Sequence, residues 1–133
     1  MELNHVYESH SYDDVYGLDV VHSVACLQST VETIFKTGEA HQSDLEKIRD
    51  LAEEVVDIAA RLQSHFAPFS REFRLTNSLK EKVCDMVIYP IEGLIHPAQT
   101  QDSSTELWQS INDAFQGKHA LSSEVNHLQK YLS

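Results

Sequence analysis

The sequence predicts an all-α fold, a single-domain bundle of four to five helices built on an antiparallel helical hairpin. Three observations predict it. Apolar residues recur at four- and three-residue steps along most of the chain, the spacing that gathers side chains on one face of an α-helix. Capping boxes of the form Ser-x-x-Glu precede helical ladders at Ser43, Ser78 and Ser103. Only four Gly and three Pro in 133 residues leave little of the turn chemistry that an all-β domain needs.

The first helix carries Val20, Val24, Leu27, Val31 and Ile34 at 4-3-4-3 spacing, and Gly38 supplies its C-terminal stop. Ser11 followed by Tyr12, Asp13 and Asp14 offers an N-cap with acids where the macrodipole favours them, which sets the expected start near Tyr12. Tyr12 and Tyr16 then extend the same seam toward the N-terminus. Residues 1–10, with Val6 and Tyr7, are left as a flexible or docking arm, and residues 11–133 form the bundle domain. Ser43-Asp44-Leu45-Glu46 opens the second helix, whose ladder Leu45, Ile48, Ala52, Val55, Ala59, Leu62 and Phe66 runs until Pro68. A polar connection at 38–42 makes a hairpin of the two.

The stretch APFSREFRLTNS reads as a connector pinned to the core by Phe69, Phe73 and Leu75. Ser78 then caps a helix through Leu79, Val83, Met86 and Val87 that Pro90 kinks or ends. Pro90, Gly93 and Pro97 argue against a long helix beyond. Ser103 caps a helix with Leu107, Trp108, Ile111, Ala114 and Phe115, and Gly117 marks a break. Leu121, Val125, Leu128 and Leu132 form a terminal helix that docks back on the bundle.

Charge is the most informative functional property. The net charge is −11, and residues 1–60 hold 13 acids against 3 bases. Such a field repels nucleic-acid phosphates and membrane surfaces and attracts basic partners. From Arg61 to Lys82 the balance reverses, with five bases (Arg61, Arg71, Arg74, Lys80, Lys82) against Glu72 and Glu81. That stretch, with Phe73, suits a phosphate or an acidic surface, or neutralises the acidic half within the molecule or in a second copy. At 100° per residue, Glu46, Asp50, Glu53 and Asp57 fall opposite the apolar face of the second helix, with Asp57 to Arg61 the one intrahelical pair in view. This stripe is either a solvated face or a docking surface for a basic partner.

His22 and Cys26 stand four apart on the first helix, a spacing that presents two ligands to one metal, but both lie off the apolar face and no CxxC or HxxxH element adds to them. No metal site and no cofactor is expected. Cys26 and Cys84 read as reduced thiols. No GxSxG and no Gly-rich phosphate loop occurs, so an enzyme is not expected. No apolar run approaches the ~18 residues that cross a bilayer, and residues 1–4 carry neither the basic nor the apolar part of a signal peptide, which points to the cytoplasm.

The expected function is a non-enzymatic protein–protein interaction module: a small cytosolic adaptor, regulator or inhibitor that uses an apolar helical seam edged by acids. Glu46, Asp50, Glu53, Asp57, Tyr12, Tyr16 and Trp108 are its expected contacts. The partner is another protein with a basic surface, or a second copy in a homodimer, with no nucleic acid and no membrane. Two other readings stay open: an acidic nucleic-acid mimic or toxin-neutralising protein, and a metal-binding helical enzyme or sensor built on His22 and Cys26.

Overall fold

The computed structural model describes residues 2–116 and 120–132, with side chains described for 19–116 and 120–130. The elements are α1 (Glu2–Thr37), α2 (Gln42–Gln63), α3 (Arg71–Val83), a π turn (Cys84–Ile88), α4 (Tyr89–Ile95), a short 3-10 turn (Pro97–Gln99), α5 (Ser104–Asp113) and α6 (Leu121–Leu132). No strand occurs among the described residues. Because α3, the π turn and α4 follow without a break, the bundle counts five rods.

The periodic ladders decide which faces meet. Val20, Val24, Leu27, Val31 and Ile34 of α1 are buried, as are Leu45, Ile48, Ala52, Val55, Ala59 and Leu62 of α2. Burying each larger aliphatic side chain stabilises the fold by about 1.5–3 kcal/mol, so these two stripes supply much of the driving force. α2 lies at the centre, packing against α1, α3, the π turn and α4. α6 closes over α1 and α3 with Leu121, Val125 and Leu128 buried, while α5 packs on α4. All of these residues join one core cluster. The Leu132 side chain and the break expected at Gly117 lie outside the described residues.

The ends of α1 and α2 depart from expectation in three places. α1 begins at Glu2, so Ser11 lies within the helix and not at its N-cap. Residues 2–10 continue the same helical backbone, with Glu2 at its start, where the macrodipole favours an acid. α2 is capped at His41 instead of Ser43: the Asp44 carboxylate accepts from the His41 backbone N–H at 3.0 Å. The helix stops at Gln63, ahead of Phe66, where the Ser64 hydroxyl donates to the Arg61 carbonyl at 2.6 Å and the next N–H groups tighten into turns.

The largest correction concerns 71–78, expected as part of a connector and found as the first turns of α3, which runs on through the expected helical residues Leu79 and Val83. Ser70 is its N-cap, accepting from the Phe73 N–H at 3.1 Å, so Ser78 lies inside the helix. Gln63, buried at the end of α2, donates to the Phe73 carbonyl at 3.1 Å and accepts from Lys80 at 3.0 Å, which locks the two helices together. Buried Thr76 returns its hydroxyl to the Glu72 and Phe73 carbonyls. At the far side of α3, Lys82 and Glu124 of α6 form a half-buried ion pair at 2.6 Å.

Pro90 neither ends nor breaks the rod. It has no N–H for the carbonyl four residues earlier, that of Met86, and the helix widens into the π turn just ahead of it. The Ser110 hydroxyl of α5 donates to the Met86 carbonyl at 3.2 Å and supplies the missing bond. Gly93 then lets α5 approach, since a Cβ there would stand 3.0 Å from Leu107 Cδ1.

Two outcomes follow for stability. Val55→Asp places an unpaired charge in the core and should destabilise by several kcal/mol, whereas exposed Glu53→Gln should change stability by about half a kcal/mol or less. Equal shifts in urea midpoint for the two variants would contradict the packing. Ser110→Ala should cost about 1 kcal/mol, because a partly buried carbonyl loses its partner. An unchanged midpoint would show that the Met86 carbonyl is satisfied without it.

Candidate functional site

The end of α1 shapes a groove. Gly38 takes a φ of +74°, and its N–H bonds the Ile34 carbonyl at 3.2 Å. Glycine adopts this left-handed backbone without penalty. The Thr37 hydroxyl reaches both the Ile34 carbonyl at 2.8 Å and the Glu39 carbonyl at 3.1 Å, fixing the turn that leads to α2. With the chain turned there, Phe35 stays on the open side of α1 at 40% exposure, next to but off the buried ladder.

Trp108 of α5 meets it. The two rings stand edge to face, centroids 5.1 Å apart and planes at 68°, the arrangement that the ring quadrupoles favour. Around this pair lies an open groove of ≈ 530 Å³, walled by Ile34 and Phe35 on one side and Ser104, Trp108 and Asn112 on the other. The Gly38–Ala40 segment forms one end, and Glu39 is the single charged residue lining it. A half-exposed aromatic floor with a hydroxyl and amide rim suits an apolar side chain presented by a partner.

The acidic stripe stands as drawn from the periodicity: Glu46, Asp50, Glu53 and Asp57 are all exposed on α2. Its charge is more neutralised than expected. Asp57 pairs with Arg61 at 2.9 Å, and Asp50 also has a base, Arg49, at 3.4 Å. Glu46 and Glu53 have no ion-pair partner among the described residues, so they carry the free charge of the stripe.

The expected contacts do not fall in one patch. Trp108 lines the groove, while Tyr12 and Tyr16 sit roughly 30 Å or more up α1 from Phe35 at 1.5 Å per residue, and their side chains lie outside the described residues. Phe35 was missed by sequence reasoning because it interrupts no ladder, and only the tertiary contact with Trp108 gives it a role.

His22 and Cys26 are both exposed and line a second cleft between α1 and α2 with Asp19, Glu54, Asp57 and Arg61. Among the described residues, no three His, Cys, Asp or Glu side chains are placed to hold a metal ion. Cys26 and Cys84 are not joined by a disulfide. Burial pushes the Cys84 thiol above its ordinary range and the Asp85 carboxylate adds to this, with Lys80 opposing, so this thiol stays protonated and weakly nucleophilic near neutral pH. No helix among the described residues is long and apolar enough to cross a membrane.

The chain matches no family model, no curated protein and no solved structure, so its own geometry carries the functional reading.

Proposed function

We propose that the protein is a non-enzymatic interaction module, a small cytoplasmic adaptor, regulator or inhibitor that binds another protein through the Phe35–Trp108 groove. The observation that carries this reading is the exposed edge-to-face ring pair lining a groove whose one ionisable side chain is Glu39. Such a lining offers apolar contact and rim hydrogen bonds but no pair of groups for proton transfer. An aromatic anchor in a partly desolvated pocket is the usual source of strong contributions at protein interfaces.

Charge selects the partner. Glu39 at the groove and the unpaired Glu46 and Glu53 along α2 favour a segment with an apolar anchor flanked by Lys or Arg, and they disfavour nucleic acid. Exposed acids act mainly on the rate of encounter, while the groove acts on the lifetime of the complex.

Binding kinetics separate these roles. With the partner captured from source cells, Glu46→Gln combined with Glu53→Gln should slow association several-fold and flatten its dependence on salt while dissociation changes little. Trp108→Ala should raise the dissociation rate at least ~10-fold. Wild-type rates in both variants would reject the groove and the stripe together.

A further inference from the structure

Phe69 combines two features that a free surface disfavours. It is the one described non-glycine residue with a positive φ, at +68°, and its ring is 89% exposed. The left-handed conformation is one that glycine accepts and a bulky side chain resists. Its cause is local: α2 has ended at Gln63, and the chain must reverse in time for Ser70 to cap α3. Sequence reasoning expected this ring to be pinned to the core, and the structure turns it to solvent. It stands as an apolar knob beside the exposed Arg71 and Arg74 at the start of α3.

An apolar ring with adjacent bases is the chemistry that the Phe35–Trp108 groove suits. A molecule cannot use its own knob. The groove lies just before Gln42 and Phe69 lies beyond Gln63, so the length of α2, about 33 Å at 1.5 Å per residue, separates them. The same separation puts the basic knob and the groove with its one acid, Glu39, at opposite ends of the central helix, an arrangement that makes one copy complementary to another.

We propose that Phe69 of one copy seats in the Phe35–Trp108 groove of a second copy, with Arg74 directed to Glu39 at that groove. The inference rests on the reading of the groove as a docking site given above. One ring in one groove is a small contact, well below the area of a stable dimer, so the association is weak and reversible. Two copies each carrying −11 repel at long range. Raising salt to physiological strength, where the screening length is about 8 Å, suppresses that repulsion more than the short contact pairs and should strengthen association.

Sedimentation equilibrium of the full chain, from roughly 10 μM to 1 mM, tests this. The wild type should gain weight-average mass with concentration, and more so at 0.15 M than at about 0.02 M salt. Phe69→Gly removes the knob and suits the positive φ, so its melting temperature should hold or rise while the dissociation constant increases at least ~10-fold. Trp108→Ala removes the groove and should do the same to association; if that variant is unfolded, Glu39→Arg takes its place. An equimolar mixture of the knob-less and groove-less variants should form a 1:1 pair although neither associates alone. A wild type that is monomeric throughout, a Phe69→Gly variant that associates normally, or a mixture that does not pair overturns the proposal. Because Phe69→Gly leaves the groove intact, partner capture by that variant shows whether the groove reading survives such a failure.

Discussion

Burial of one stripe on α2, from Leu45 to Leu62, is the constraint that the other helices satisfy. No single neighbour covers it: α1, α3, the π turn and α4 each take part. Ala52 and Ala59 within the stripe are fully buried, and their small size lets these neighbours approach closely around one rod. The opposite face of α2 has no apolar side chain to cover and is left to water, which is where Glu46, Asp50, Glu53 and Asp57 stand. Core and acidic surface are thus two sides of one helical pattern.

Polar side chains settle what the apolar ladders leave open. Hydrophobic contact says that α3 packs on α2 but does not fix how far along. Gln63 does, by bonding the Phe73 carbonyl and Lys80 on the neighbouring helix. Lys82 and Glu124 set α6 on α3 in the same way, and the Ser110 bond to the Met86 carbonyl sets α5 against the π turn. With α5 held there by Ser110 and by its close approach to Gly93, Trp108 comes up against Phe35, and the groove is a consequence of that placement.

The ladders of α1, α2 and α6, and the acidic stripe, were legible in the sequence because a helical face is a local pattern of step and polarity. Cap positions were less so. Ser43 and Ser78 carry the capping-box pattern, yet His41 and Ser70 hold the helix starts, since several residues nearby can each satisfy an N–H and the packing of the whole helix decides between them. Pro90 shows a sharper limit. Its missing N–H was legible and led to an expected kink or end, but the hydroxyl that partners the freed carbonyl comes from a different helix, and the rod continues through Pro90. Phe35, Trp108 and Phe69 belong to this second kind. Nothing in their immediate sequence distinguishes an aromatic that packs inward from one that stays exposed, as Tyr89 at 73% exposure also shows.

Trp108 is the only tryptophan in the chain, so its fluorescence reports on the groove without labelling. The most direct test of the account is acrylamide quenching and emission wavelength of Trp108 with and without the captured partner in excess. Docking in the groove predicts a blue-shifted emission and quenching reduced at least ~2-fold, because the half-exposed indole loses water contact. A complex that forms with both signals unchanged would place the partner elsewhere and contradict the account.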